Sequence, residues 1–177
     1  MAAQNIAAAL QRAEAIFQRR PEAAVHDDAP GAARWSGGTR VVATHASGKQ
    51  VETDMPGELG GSGDQVSPGW LLRSGLAACT ATAIAMVAAQ EGIALDSLEV
   101  EVTSRSDSRG LLGMREADGT LVYPGPHDLQ MRVRIAAAGV PAQQLRAIVE
   151  QGNRRAPMSA VARDAMPLPL HIEAGAG

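Results

Sequence analysis

Apolar residues recur every three or four positions at the start of the chain: Ile6, Leu10, Ala13, Ile16 and Phe17. That spacing places them on one stripe of an amphipathic helix over Ile6 to Arg20, which Pro21 ends. Pro21 to Ala32 carries Pro, Asp and Ala without a period and reads as a linker. From Ala33 to Met55 the pattern changes to short β-favouring runs. Trp35, Val41, Val42, Val51 and Thr53 are divided by the turn residues Ser36-Gly37-Gly38 and Ser47-Gly48-Lys49, which predicts two or three antiparallel strands. A glycine-rich loop comes after them, Pro56 to Asp64. It is not a phosphate loop, because no Gly-Lys-Ser/Thr follows it, and its spacing fails a dinucleotide fingerprint.

The longest apolar stretch comes next. Ser67 is a good N-cap and Pro68 a good first helical residue, so a helix is predicted from there to Glu91, stopped by Gly92. At 1.5 Å per residue it is roughly 36 Å long. It is apolar almost all round, which predicts protein on both sides. Strict alternation then appears twice: Leu98, Val100 and Val102 against Glu99, Glu101 and Thr103, and Leu129, Met131, Val133 and Ile135 against Gln130, Arg132 and Arg134. Each reads as a half-exposed strand, with the glycine-studded segment Ser106 to Pro126 looping between them. Pro141 opens a helix with Leu145, Ile148 and Val149 inward, which Gly152 is expected to end. Ala156 to Ala165 is short helix or turn. Leu168, Leu170 and Ile172 form a last edge strand, since Pro167 and Pro169 cannot donate to a ladder. Strands and helices that succeed one another without regular alternation indicate an α+β fold.

Composition narrows the function classes. In 177 residues, 45% are hydrophobic and 20% charged, which supports one domain with an extension, yet only 2% are aromatic. A core of Ala, Val, Leu, Ile and Met buries less area per residue, so oligomerisation is a natural source of the missing burial. The net charge of −3 argues against a nucleic-acid partner. The pairs Arg19-Arg20 and Arg154-Arg155 read as solvated surface. The run Trp70 to Ala89 is long enough to span a bilayer, but Arg73 interrupts it and Ala, Ser and Thr dominate, which favours a core helix over a membrane span. No basic segment opens the chain as a secretory signal would. A lone cysteine, Cys79, excludes an internal disulfide and fits the reducing cytoplasm. The four histidines show no metal spacing, so no metal site is expected.

A single thiol is either a packed small hydrophobe or a reagent. A free cysteine titrates at about 8.5, and it reacts as the thiolate. Cys79 lies three turns inside its helix, beyond the reach of the terminal dipole, so a reactive thiol needs a cation from elsewhere. Arg73 is six residues away, about 240° round the axis, on another face. Arg40, after the Ser36-Gly37-Gly38-Thr39 turn, and Arg109, in the loop before Gly110-Leu111-Leu112-Gly113, are the candidates. His45 is a weaker one. Glu99 and Glu101 share one strand face and read as its solvated side.

Glu58-Leu59-Gly60-Gly61, Ser67-Pro68, Leu71-Leu72 and Gly75-Leu76-Ala77-Ala78-Cys79-Thr80 together resemble the family of osmotically inducible protein C and the organic hydroperoxide resistance proteins (OsmC/Ohr). Gly92-Ile93 and Leu98-Glu99-Val100 match the segment after the central helix in that family. The resemblance covers roughly Ala33 to Ile172, which divides the chain into an N-terminal helical extension and linker, residues 1–32, and an OsmC-like α+β domain, residues 33–177. It implies antiparallel sheets wrapped around long central helices in an intertwined homodimer, with active sites at the subunit interface. It also implies that the Cys79 thiolate attacks the O–O bond of a small organic hydroperoxide to give a sulfenic acid. Two positions depart from the family pattern. Ala156, in Arg154-Arg155-Ala156-Pro157, stands where the second cysteine would be, so an external thiol has to resolve the sulfenic acid. Gly69 stands where the family's peroxidases carry a glutamate that orients the arginine. Gly37-Gly38-Thr39-Arg40 resembles the family's Gly-Gly-Arg turn shifted by one residue.

The leading expectation is therefore a cytoplasmic, dimeric one-cysteine thiol peroxidase with Cys79 as nucleophile, Arg40 as the first choice of activating cation and Arg109 as the second. The alternative is a non-catalytic dimeric module that binds a small apolar molecule, with Cys79 merely packed. A third reading is an interaction protein that docks a partner on its N-terminal helix.

Overall fold

The N-terminal stripe folds as α1 (Ala2–Arg19) and the Ser67-Pro68 segment opens α2 (Pro68–Gln90), in a computed structural model that describes residues 2–164 and 166–175. The cap works as its residue types dictate. Ser67 Oγ accepts the Trp70 N–H at 3.2 Å, and Pro68 occupies a position whose N–H has no helical partner. At the other end Gly92 takes φ +72°, the left-handed conformation a side chain would oppose.

Between these helices β1 (Ala32–Gly37), β2 (Arg40–Thr44) and β3 (Gln50–Thr53) form an antiparallel meander in sequence order. Beyond α2, β4 (Ser97–Arg105) pairs antiparallel with β5 (His127–Ala136) as a separate two-stranded sheet. The loop joining them carries the short α3 (Ser108–Leu111). The chain continues through α4 (Ala142–Arg155) and α5 (Pro157–Arg163). This is the α+β arrangement the sequence pattern predicts.

The core lies where α2 and α4 meet the inner face of β4 and β5. Ile84, Val87, Ala88, Ile93 and Ile148 are its buried centre, and Leu98, Val100, Val133 and Ile135 pack against it from the sheet. The alternation of those strands sends the intervening residues outward. Glu99 faces Arg134 at 2.9 Å and Glu101 faces Arg132 at 3.9 Å, both exposed pairs that contribute little to stability.

Two local expectations change. Gly152 does not end α4, which continues to Arg155. Gly152 is buried in the helix interior instead, because any Cβ there would meet Ile84 Cγ1 at 2.6 Å and Ile84 Cα at 2.7 Å. The glycine lets α4 ride on the backbone of α2. Leu168, Leu170 and Ile172 form no strand; the segment is irregular and Leu168 is 95% exposed. Among the described residues it pairs with no strand. The helix or turn expected over Ala156 to Ala165 is α5, with residue 165 outside the described residues.

The third difference concerns α2. It has the length and apolarity of a membrane span, yet one face packs on β4, α4 and α5, and α1 lies against it. Protein covers only part of it. Leu72 is 52% exposed and Met86 38%, so in the single chain the all-round apolar surface is not closed over.

Candidate functional site

Cys79 lies in the middle of α2, half-buried. Its Sγ accepts a hydrogen bond from the Met158 N–H at 3.5 Å. That donor is available because Pro157 starts α5, and the first N–H groups of a helix have no partner in their own helix. The approach of α5 to α2 is fixed one residue from the thiol by a buried hydroxyl pair, Thr80 Oγ1 to Ser159 Oγ at 3.0 Å. Both side chains are buried, so each depends on the other for satisfaction. Thr80→Val should therefore cost about 1–3 kcal/mol by stranding Ser159, and the double change Thr80→Val with Ser159→Ala should recover most of it. Urea denaturation of the two variants checks this; equal losses would show that the pair is not coupled.

Beside the thiol lies a cavity of about 400 Å³ lined by Cys79, Thr82, Ala83, Met86, Val87, Gln90, Arg155 and Pro157. Its walls are mostly apolar, and its size is that of a small-molecule site. The α2 members recur at three- and four-residue steps, so they share one helix face. Arg155, the last residue of α4, donates from Nη1 to Gln90 Oε1 at 2.6 Å.

The two arginines expected near Cys79 are placed elsewhere in this chain, and neither lines the cavity. Gly37 and Gly38, with φ +121° and +56°, turn β1 back so that Arg40 starts β2. Arg40 Nη2 donates to Asp64 Oδ1 at 2.7 Å and to Ser62 Oγ at 2.9 Å, and lies 3.6 Å from Asp54 Oδ2. Glu52 approaches Nη1 at 3.6 Å. The hydrogen bond from Arg40 to Asp64, with the charge of that carboxylate, raises the arginine's pKa further. Asp54 is the buried hub of this cluster. Hydroxyls of Ser62 and Thr39 donate to it at 2.6 Å each, and these bonds, with the Ser62 and Met55 N–H groups, hold its carboxyl well below the usual aspartate range. The glycine-rich loop is thus the strap that ties Asp64 and Ser62 to β2. The carboxylates holding Arg40 are Asp64, Asp54 and Glu52.

Arg109 is clasped within its own loop, by Asp107 at 2.6 Å and Glu116 at 3.0 Å. Those two carboxylates raise its pKa as well. Arg73 Nη1 donates to Ser104 Oγ at 3.3 Å, and a side chain at Gly69 would have its Cβ 3.5 Å from that guanidinium. Within this chain an acid at position 69 would therefore stand beside Arg73. His45 lies in the β2–β3 turn, its Nδ1 2.8 Å from Ser47 Oγ. Among the described residues no three His, Cys, Asp or Glu side chains gather as a metal site requires.

Sequence reasoning missed the cavity's far end. Gln90 was legible: eleven residues at 100° each complete about three turns, which returns it to the face of Cys79. Arg155 was not, because a paired arginine at a helix end has no signal separating it from solvated surface.

The sequence from 61 to 170 matches the family described as OsmC-like protein. That span includes Cys79 and Arg155 and begins after Arg40. A search of the curated proteins finds no match. Among solved structures, an OsmC-like protein of Mycoplasma pneumoniae superposes with a TM-score of 0.65 at 18% identity, over 80% of this chain and 91% of that one. An organic hydroperoxide resistance protein of Legionella pneumophila gives 0.56 at 22% identity, over 78% and 92%. One from Elizabethkingia anophelis gives 0.56 at 19%, over 80% and 93%. At these identities the structural likeness establishes a shared fold.

Proposed function

The chain belongs to the OsmC-like protein family, and on that premise we propose that it is a one-cysteine thiol peroxidase acting on small organic hydroperoxides. The observation that carries this reading is the setting of Cys79. Its sulfur is neither sealed in aliphatic packing nor bare to solvent, but opens on an apolar cavity of about 400 Å³ with the Met158 N–H aimed at it. Thiolate sulfur accepts such a bond well.

In the proposed step the Cys79 thiolate attacks the terminal oxygen of the hydroperoxide. A new S–O bond forms as the O–O bond breaks, and the departing alkoxide takes a proton to leave as an alcohol. Sulfur loses two electrons and the peroxide gains them, giving Cys79 sulfenic acid. With Ala156 in place of a second cysteine, an external thiol condenses with the sulfenic acid to release water. A second thiol then reduces the mixed disulfide and returns the free cysteine. The reaction needs no metal or organic cofactor.

Arg40 supplies the guanidinium that polarises the peroxide, held in its clamp by Asp64, the role the family gives to a glutamate at the position of Gly69. Arg109 is the second candidate. Because Arg40 does not line the cavity of its own chain, the complete site is formed in a homodimer. The partly uncovered face of α2 and the exposed Leu168, Leu170 and Ile172 are the surfaces that a second chain covers. In this reading residues 1–32 are an extension on an OsmC-like domain of 33–177, and the protein works in the cytoplasm.

The apolar lining of the cavity favours the second reading, a binding module in which Cys79 only packs. One experiment separates the two. Reduced protein receives one equivalent of tert-butyl hydroperoxide, is quenched with a thiol-blocking reagent and is weighed intact. Addition of one oxygen or of a thiol adduct, absent from Cys79→Ser, is the expected result. A thiol that stays unmodified and fully alkylatable after peroxide would overturn the peroxidase and leave the binding module.

A further inference from the structure

The polar group in contact with the Cys79 sulfur is a backbone nitrogen. The Met158 N–H is directed at Sγ across 3.5 Å. Pro157 lines the cavity, so the peptide plane that carries this N–H is part of the wall beside the sulfur. The pair is pinned from one side. Thr80 and Ser159, each one residue further along, join their hydroxyls at 3.0 Å in buried space. Packing therefore holds the sulfur and the nitrogen against each other. The amide next to Cys79 in the chain is not free in the same way. Thr80 N–H lies in the middle of α2 and is spent on that helix's own ladder. Met158 N–H has no such commitment; among the described residues its partner is the sulfur.

A sulfenic acid on Cys79 needs a nucleophile to resolve it. Cys79 is the only cysteine in the chain, and no other thiol, amine or imidazole lines the cavity. Gln90 is eleven residues on, about 16 Å along the axis. Arg155 is held beside Gln90 by its 2.6 Å hydrogen bond. The nitrogen already in contact is that of Met158.

We infer that the Cys79 sulfenic acid condenses with the Met158 amide nitrogen, so that the oxidised protein, left without external thiol, rests as a sulfenamide bridging α2 and α5. The step balances without a further oxidant. The N–H and S–O bonds break, the S–N bond forms, and the proton and hydroxide leave as water. Sulfur takes the place of the hydrogen that pointed at it, so the peptide stays planar. The gap must close by about 1.5 Å, to less than the ~2 Å of a disulfide bond, which a swing of the cysteine side chain about χ1 supplies. An amide is a poor nucleophile in solution, and contact within the fold offsets that through effective molarity. Return needs only thiols. One attacks sulfur and gives its proton to the nitrogen, and a second reduces the mixed disulfide. Sulfinic acid has no such return, so the bridge protects the thiol from irreversible oxidation. Sulfenamide formation rests on the peroxidase reading for its oxidant; its geometry stands on α2 and α5 alone.

Mass spectrometry of the reduced full-length protein, kept free of thiol, tests it in two arms. One arm uses one equivalent of tert-butyl hydroperoxide. The other uses excess hydrogen peroxide, which oxidises an accessible thiol without a peroxidase site. On standing, the one-oxygen form should give way to a monomer two hydrogens lighter than the reduced protein. Tryptic digestion should then join the peptide 74–105 to the peptide 156–163 through Cys79 and Met158, and dithiothreitol should separate them. Met158→Pro removes the N–H at a helical position that tolerates proline, and should lower the bridged fraction about tenfold or more and send the sulfur to sulfinic acid instead. Met158→Ala keeps the N–H and should bridge as the wild type does. The wild-type peptide map decides the matter even if the proline variant does not fold. A one-oxygen form that persists or passes to sulfinic acid, a link at another residue, or a doubled mass from two chains would each overturn the bridge. When the hydroperoxide adds its oxygen and no bridge follows, the peroxidase survives and the sulfenamide does not. A bridge formed with hydrogen peroxide by a thiol that ignores the organic hydroperoxide upholds the sulfenamide and refutes the peroxidase. A thiol untouched in both arms overturns both.

Discussion

Replacing Gly152 with alanine is expected to destabilise the protein by about 3 kcal/mol, at the upper end of what one added methyl costs in a packed interior. The sign is the informative part. In an ordinary helix interior the same change gains roughly 1 kcal/mol, because alanine is the better helix former. Here the new Cβ would stand 2.6 to 2.8 Å from Ile84 Cγ1, Cα and N. Two of those three atoms are backbone and cannot swing aside, so α4 must lift from α2. Total stabilities of 5–15 kcal/mol make such a loss severe. Urea denaturation of Gly152→Ala measures it directly, and a variant as stable as the wild type would show that the helices are not in that close contact. Because α4 ends in Arg155 and leads into Pro157 and Met158, lifting it also opens the cavity at the thiol.

Ala156→Cys should convert the peroxide chemistry from intermolecular to intramolecular. Ala156 is fully buried and lies two residues before Met158, whose N–H touches Cys79 Sγ. A thiol there would attack the Cys79 sulfenic acid from within the fold, expelling water and leaving a disulfide. Intact mass after one equivalent of hydroperoxide should show loss of two hydrogens in place of gain of an oxygen. Sulfenic acid capture by an external thiol should fall at least tenfold, because a held reactant outcompetes a diffusing one by a large effective molarity. The added sulfur must be fitted into packed space, so some stability is lost, about 1–3 kcal/mol. Persistence of the mixed disulfide in Ala156→Cys would show that α5 does not hold position 156 within reach of the thiol.

Local chemistry made much of this fold legible. The three- and four-residue spacing of α1 and the Ser67-Pro68 start of α2 are statements about a helix by itself, and both hold. Alternation in Leu98 to Thr103 and Leu129 to Ile135 likewise belongs to the strands alone, and it orients both faces of the β4–β5 sheet. What failed needed a second element. Gly152 looks like a helix terminator until Ile84 is placed beneath it, and then the missing Cβ is a contact surface. Leu168, Leu170 and Ile172 alternate like a strand, but a strand is made by its neighbour, and among the described residues they pair with none. Cys79 stood out by being the single cysteine, and the family resemblance made it the candidate nucleophile. Arg155 was hidden because long-range approach, from the end of α4 to the end of α2, leaves no trace in local spacing. Arg40 was found through its turn, but the three carboxylates that hold it come from β3 and the glycine-rich loop, and no periodicity connects them.

The two tryptophans give the single chain an optical property of its own. Trp70, on the first turn of α2, is 46% exposed, and Trp35, on β1, is 70% exposed. Neither indole is buried in the core, so emission from the single chain should shift only modestly when the core forms. A move to shorter wavelength as the protein is concentrated then signals chains meeting one another rather than a chain folding.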